Sequence, residues 1–164
     1  MKNLLFVCTG NTCRSSMAEA LFRRMVKSSG ADSLADLEVS SAGVSARGGD
    51  RASPNAIKAM EELGIDLSRH KTRQLTQDMI DRADLILTMT EGHRDFIRVM
   101  DPGARDKTFT LREYTDDDAI RGGDLDIEDP FGGSVEVYRS SAMKIKEALH
   151  RLLERLAGGY TQGK

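Results

Sequence analysis

The chain has 164 residues, of which 39% are hydrophobic and 30% are charged, and its formal net charge at pH 7 is −2. This length suits one domain with a single core, and the nearly balanced charge gives no reason to expect a nucleic-acid or membrane partner. The apolar stretch at residues 4–7 is too short for a signal peptide or a membrane span. We therefore expect a cytoplasmic, monomeric protein without a structural disulfide.

Hydrophobic spacing predicts strands that alternate with helices. Apolar residues three or four apart, such as Met17, Leu21 and Met25, indicate a helix from Ser15 onward, and Ser53 before a proline marks the start of another. Strands are predicted at residues 4–7, 37–44, 84–89 and 107–111, further helices at 91–100 and 135–156, and a long acidic surface loop at 116–134.

This alternation predicts an α/β fold, with an open sheet of about four parallel strands flanked by helices on both faces. The domain is expected to span residues 1–157, with a flexible tail at 158–164. In such a sheet, ligands bind beyond the carboxyl ends of the strands, and the first strand ends at Cys8.

The segment at residues 8–15, CTGNTCRS, joins that strand to the first helix. Five residues separate Cys8 from Arg14, and Gly10 and Asn11 between them allow the backbone to curl. Backbone N–H groups at a helix N-terminus form a ready anion site, and an arginine adds a bidentate grip on phosphate oxygens. The predicted phosphate-binding residues are Thr9, Gly10, Asn11, Thr12, Cys13, Arg14 and Ser15.

The same surroundings favour the thiolate form of Cys8, because a helix N-terminus and a nearby arginine stabilise the anion. The thiolate would lie beneath a bound phosphorus, placed for in-line attack, and Ser15 could donate a hydrogen bond to it. This scheme needs neither a metal ion nor another cofactor. A second cysteine in the loop, Cys13, suggests reversible oxidation in which Cys13 traps an oxidised Cys8 as a disulfide.

The chain resembles the low-molecular-weight protein tyrosine phosphatases through VCTGNTCRSSMAEA near its start, SSAG at residues 40–43 and Asp129-Pro130 before the last helix. The resemblance implies that Cys8 is the nucleophile, that Arg14 binds phosphate and that Asp129 is the general acid. It also implies a supporting network of Asn11, Ser15, Ser41 and His70. The sequence departs from the family in one place, since Ser16 stands where a proline is usual.

The CTGNTCRS form resembles the bacterial protein arginine phosphatase branch of that family. Thr12 stands where many tyrosine-specific members carry a bulkier aliphatic residue, and its hydroxyl could accept from a guanidinium N–H. Phe131, in DPFGGS, is the single aromatic residue in a segment where tyrosine-specific members often have more. The expected substrate is phosphoarginine in proteins, with phosphotyrosine as the alternative.

Two readings from other classes remain open. Arsenate reductases of one type share the thiolate loop but need a further cysteine on a distant segment, and this chain has only Cys8 and Cys13. A non-catalytic phosphate binder would keep the anion cup and could dispense with an acid, whereas this chain has a candidate acid in Asp129. Both readings therefore rank below a cysteine-dependent phosphatase.

Overall fold

A computed structural model describes residues 1–158, so nearly all of the predicted tail at 158–164 lies outside the described residues. One sheet contains four parallel strands in the order β2-β1-β3-β4. The strands are β1 (Asn3–Cys8), β2 (Glu38–Gly43), β3 (Leu85–Thr88) and β4 (Thr108–Thr110). The predicted fold class and strand number are therefore confirmed.

Seven α-helices and two short 3-10 helices occupy the described residues. The α-helices are α1 (Arg14–Ser29), α2 (Pro54–Glu62), α3 (Gln77–Arg82), α4 (Glu91–Met100), α5 (Leu111–Thr115), α6 (Asp117–Gly122) and α7 (Val135–Leu156), and the 3-10 helices are Asp32–Leu34 and Pro102–Lys107. The Ser53 hydroxyl caps α2 by accepting from the amide of Ala56, as its position before a proline predicts. Within residues 1–158, no helix has both the length and the apolar character needed to cross a membrane.

The central strand β1 carries hydrophobic side chains on both faces. Leu4 and Phe6 pack into a cluster that includes buried residues of α1, α2 and α7, while Leu5 and Val7 pack into a second cluster with buried residues of α3 and α4. Full burial of such a side chain is worth roughly 1.5–3 kcal/mol. An uninterrupted apolar run is therefore required here, because helices cover the sheet on both sides.

The prediction of a continuous surface loop at residues 116–134 is wrong for residues 117–122, which form α6. Asp116 caps this helix by accepting from the Asp118 amide at 3.0 Å, and it also pairs with Arg151 of α7 at 2.7 Å. Because α6 has only six residues, hydrophobic spacing along the chain gives little signal for it.

Candidate active site

The loop between β1 and α1 directs its carbonyl groups outward. The Cys8 and Thr9 carbonyls each accept a 2.9 Å hydrogen bond from backbone that follows β2, and the Thr12 carbonyl accepts from the Ser53 amide at 3.0 Å. Among the residues that the structure describes, the amides of residues 10–13 donate to no protein acceptor. The loop therefore forms a cup of free N–H groups at the N-terminus of α1, which suits an anion.

Two residues allow the loop to curl this tightly. Asn11 has φ = 57°, in the left-handed region that asparagine tolerates better than most residues. Gly43, at the end of β2, lies against the loop, and a Cβ added there would clash with the Thr9 carbonyl and come within 2.9 Å of the Asn11 amide. Position 43 therefore needs glycine, because the loop backbone fills the space of a side chain.

The buried side chain of Asn11 ties the loop to its surroundings. Its Nδ2 donates to Ser15 Oγ at 2.8 Å and to Ser41 Oγ at 2.9 Å, and its Oδ1 accepts from the Arg73 amide at 3.0 Å. The His70 ring nitrogen Nε2 donates to the Asn11 carbonyl at 2.8 Å. The four residues predicted as a supporting network are thus brought together, and burial lowers the pKa of His70, which favours the neutral ring.

Cys8 and Arg14 lie at the centre of the cup. The Cys8 thiol is 2% exposed, and its Sγ lies 2.8 Å from Ser15 Oγ. Arg14 is equally enclosed: its Nη1 donates to the Ile127 carbonyl at 3.0 Å, and its Nη2 lies 3.4 Å from Asp129 Oδ2. Its buried Nε has no hydrogen-bond partner within residues 1–158. Nη1 therefore anchors the guanidinium to the Ile127 carbonyl, while Nε remains available to donate to a bound anion.

Asp129 and Phe131 lie at the rim of the site. The Asp129 side chain is 49% exposed, and its Oδ1 accepts from the Phe131 amide at 3.1 Å. The Phe131 ring is largely exposed, as expected for a side chain that does not belong to the core. The long segment before α7 thus brings a carboxylate back to the loop, 115 residues after Arg14 in the chain.

The side chains of Thr12 and Cys13 contact each other, and the Cys13 sulfur also contacts residues outside the loop. Thr12 is half-buried, with Oγ1 3.4 Å from Cys13 Sγ. The Cys13 sulfur lies 3.4 Å from the Tyr138 hydroxyl of α7 and 3.5 Å from Ser53 Oγ. Burial and the contact with Cys13 raise the pKa of Tyr138 to about 12, so this phenol stays protonated at neutral pH. Both cysteines are free thiols.

Sequence reasoning missed a buried carboxylate, Glu19, which completes the network around Asn11. Glu19 accepts a short hydrogen bond from Ser41 Oγ, pairs with Arg23 at 2.9 Å and lies 3.6 Å from the Arg73 guanidinium. Its signal in the sequence is the i, i+4 spacing from Ser15 on α1, which places both side chains on one face of the helix.

A second missed residue is His93, at the start of α4. It is 7% exposed, its Nε2 lies 2.8 Å from Thr9 Oγ1, and its Nδ1 lies 3.0 Å from Thr90 Oγ1. Burial, followed by the positive charge of Arg14, lowers the pKa of His93 to about 4, although Asp126 and Asp129 oppose the shift. His93 is therefore neutral at physiological pH.

The lowered pKa of His93 makes the stability of the protein depend on pH. The ring titrates near 6.5 in the unfolded chain, so between about pH 6.5 and 4 the unfolded state binds a proton that the folded state does not. The free energy of unfolding should fall as the pH drops through this window, by about 3 kcal/mol from His93. In urea titrations at pH 7 and 4.5, His93→Gln should lose less stability than wild type. His150→Gln, at an exposed site on α7, should behave as wild type.

Within residues 1–158 there is no group of three or more His, Cys, Asp or Glu side chains arranged to hold a metal ion. The site instead combines a buried thiol beneath an anion cup, an arginine six residues later and a carboxylate at the rim. This arrangement on a parallel sheet defines the class of cysteine-dependent phosphatases. The family model for low molecular weight phosphotyrosine protein phosphatases matches residues 3–160, and the chain belongs to that family.

Individual relatives agree with this membership. A protein-arginine-phosphatase of Geobacillus stearothermophilus is 44% identical over 153 residues, covering 93% of this chain and 95% of the relative. A protein-arginine-phosphatase of Bacillus subtilis (strain 168) is 40% identical over 154 residues, with 94% and 96% covered. Among solved structures, a cysteine-to-serine mutant of the YwlE arginine phosphatase with a phosphorylated active-site serine has a TM-score of 0.85 and 39% identity, covering 95% of this chain and 96% of its own.

Proposed function

We propose that this chain is a protein phosphatase that hydrolyses phosphoarginine through a phosphocysteine intermediate on Cys8. The observation that carries the proposal is the convergence of the buried Cys8 thiol, the half-anchored guanidinium of Arg14 and the Asp129 carboxylate at one end of the sheet. The names of the two relatives, both protein-arginine-phosphatases, support the choice of substrate.

In the first step, the phosphoryl group binds in the cup, with its oxygens held by the loop amides and by Arg14. The Cys8 thiolate attacks phosphorus and forms the P–S bond while the P–N bond to the substrate breaks. The departing guanidine nitrogen takes a proton from the carboxylic acid of Asp129, which lies next to Arg14 at 3.4 Å. The Ser15 hydroxyl, 2.8 Å from the sulfur, stabilises the thiolate before attack.

In the second step, Asp129, now a carboxylate, removes a proton from water. The resulting nucleophile attacks phosphorus, the P–S bond breaks, and the thiolate and inorganic phosphate are released. Arg14 and the loop amides stabilise the charge that develops on the equatorial oxygens in both steps, because these donors are fixed before the reaction begins. The partial exposure of the Asp129 side chain gives water a route to the acid.

Thr12 is the proposed basis of the preference for phosphoarginine over phosphotyrosine. A guanidinium presents N–H donors around its edge, whereas the ring of phosphotyrosine presents C–H groups there. The half-buried hydroxyl of Thr12 makes only a long 3.4 Å contact, with the Cys13 sulfur, so its oxygen can still accept from the substrate. The tyrosine alternative keeps the same steps and differs in the leaving group.

The decisive experiment compares kcat/KM for matched peptides that carry phosphoarginine or phosphotyrosine. Wild type should prefer phosphoarginine, and Thr12→Ile should shift the ratio towards phosphotyrosine by roughly ten- to a hundredfold, since an aliphatic side chain cannot accept a hydrogen bond. Thr12→Val tests loss of the hydroxyl at nearly constant volume, and Thr12→Ser is the control that keeps it. A wild-type preference for phosphotyrosine would contradict the proposed substrate and favour a protein tyrosine phosphatase, with the same chemistry at Cys8.

Loss of the general acid should depend on the leaving group. Asp129→Asn should lower kcat for phosphoarginine by roughly 10²- to 10⁴-fold, because the guanidine nitrogen is a poor leaving group unless it receives a proton as the P–N bond breaks. Hydrolysis of 4-nitrophenyl phosphate should fall less, since nitrophenolate leaves more easily. Asp106→Asn, at an exposed site in the 3-10 helix Pro102–Lys107, is the matched control. Equal losses for the two substrates would argue against Asp129 as the acid.

We propose phosphorylated proteins as substrates, a single phosphatase domain over residues 1–157 and a monomeric state. The trapping of oxidised Cys8 by Cys13 stays a prediction. It is tested by asking whether Cys13→Ala remains fully recoverable by thiols after peroxide treatment, which would exclude the trapping role.

A further inference from the structure

Thr9 follows Cys8, the proposed nucleophile, in the loop that forms the cup. The residue is exposed, yet its hydroxyl oxygen is fixed at 2.8 Å by Nε2 of the buried His93. His93 is held in turn by Thr90, whose Oγ1 caps α4 and lies 3.0 Å from Nδ1. The loop backbone does not need the hydrogen bond between Thr9 and His93 to hold its shape, because the Thr9 carbonyl already accepts from the backbone after β2.

The hydrogen bond between Thr9 Oγ1 and His93 Nε2 can have either atom as the donor, and so can the one between Thr90 Oγ1 and Nδ1. Thr90 Oγ1 also accepts from the His93 amide at 3.2 Å, which leaves it one lone pair and its own proton. If Nε2 donates, the Thr9 oxygen keeps one lone pair, and if the Thr9 hydroxyl donates, both lone pairs remain. In either tautomer, an acceptor site on Thr9 is therefore available to a bound substrate.

The charges around His93 keep this arrangement in place. Arg14 is the cation that acts on the ring, and Asp126 and Asp129 are the anions. With Arg14 nearby and the ring buried, the neutral form that orients Thr9 is favoured across the physiological range of pH.

We propose that Thr9 is a specificity-determining residue and that His93 is its positioning residue: together they present a fixed oxygen acceptor to the guanidinium N–H groups of phosphoarginine. This inference rests on the proposed function. It adds a second acceptor to Thr12, on the other side of Gly10 and Asn11 in the loop. Two acceptors from one loop match a planar group whose N–H donors point in several directions.

Phosphotyrosine gains nothing from such an acceptor. Its ring edge has no N–H group, so the Thr9 oxygen would be left without a protein or substrate partner beyond His93. A hydrogen bond that one substrate makes and another cannot make discriminates by roughly three- to tenfold at a partly exposed position. The expected signature is therefore a change in the ratio of the two specificity constants.

The test measures that ratio, kcat/KM for phosphoarginine over phosphotyrosine in matched peptides, for a set of variants. Thr9→Val should lower the ratio roughly three- to tenfold, and Thr9→Ser should keep it. His93→Asn, too short to reach Thr9, should lower the ratio similarly, and His93→Gln, which places an N–H near the position of Nε2, should restore it. His150→Asn is the control on an exposed histidine.

A double variant, Thr9→Val with His93→Asn, should show no further fall, because His93 acts through the Thr9 hydroxyl. The ratio does not depend on the folded fraction, since both substrates are measured on the same enzyme preparation. If Thr9→Val leaves the phosphoarginine-to-phosphotyrosine ratio unchanged, the inference is wrong. If Thr9→Val lowers that ratio but His93→Asn does not, His93 does not position Thr9. A wild type that prefers phosphotyrosine contradicts the proposed function itself, which is a separate outcome.

Discussion

Cys8→Ser is expected to lower turnover of any phosphorylated substrate by roughly 10⁴-fold or more, while the protein remains folded and still binds inorganic phosphate. The loss follows from chemistry: a serine hydroxyl is far less acidic than a thiol, and the Ser15 hydroxyl, 2.8 Å from the present sulfur, is not a base that could activate it. The anion cup should persist because its carbonyls are held by other segments and its shape does not depend on the sulfur.

Three measurements check this result together. Steady-state hydrolysis gives the loss, calorimetric titration with phosphate reports the intact cup, and mass spectrometry detects any phosphoryl group retained on the variant. One solved relative is a cysteine-to-serine mutant that carries a phosphorylated active-site serine, so slow phosphorylation without release is the specific outcome to look for. If Cys8→Ser kept a tenth of the wild-type turnover, another group would have to be the nucleophile.

The architecture of the sheet could be predicted from the sequence because both faces of the central strand are buried. The run from Leu4 to Val7 is apolar without interruption, which is typical of a parallel strand covered by helices. The limits of α4 and α7 were also predictable, since Asp101-Pro102 ends one helix and a long hydrophobic stripe defines the other. These signals are local or periodic, and they need no knowledge of tertiary contacts.

Short helices escaped prediction because they contain too few residues to show a period. The helix Leu111–Thr115 has five residues, yet it is preceded by a complete capping box between Thr110 and Glu113. The Gln77–Arg82 helix likewise begins at a capping threonine, Thr76. Caps were therefore the available signal, and the apolar pattern alone could not reveal these elements.

In the candidate site, too, residues that are close in the chain could be predicted, and residues that only the tertiary fold brings together could not. Cys8, Arg14 and Ser15 are close in the chain, so the spacing of one loop could indicate their proximity. The i, i+4 spacing places Glu19 on the same face of α1 as Ser15, but its contact with Ser41 of β2 depends on the packing of α1 against the sheet. His93 could not be assigned, because its contact depends on the approach of α4 to the loop. A lone histidine or glutamate has many uses, and only the tertiary fold shows which partner it meets.

Arg14→Lys is expected to lower kcat/KM by about a thousandfold, even though the charge is kept. The guanidinium of Arg14 bonds the Ile127 carbonyl through Nη1, lies 3.4 Å from Asp129 through Nη2 and keeps a buried Nε without a partner. A lysine ammonium is a compact point charge that cannot span these positions at once, so it either abandons the anchor or loses the bidentate grip on phosphate. Loss of one fixed donor to transition-state charge typically costs roughly 10²- to 10³-fold.

The anchor explains why most of this loss should appear in kcat. Ile127 and Asp129 belong to the same segment before α7, so Arg14 fixes the position of the acid relative to the phosphate-binding loop as well as binding phosphate. A lysine would leave the buried Ile127 carbonyl without its donor, which costs about 1–3 kcal/mol of stability and loosens the acid. The measurement is kcat and KM for phosphoarginine peptide and for 4-nitrophenyl phosphate, with urea unfolding alongside and Arg105→Lys as an exposed control. If kcat/KM of Arg14→Lys stayed within tenfold of wild type, the positive charge alone would suffice, and bidentate binding of phosphate would not be needed for catalysis.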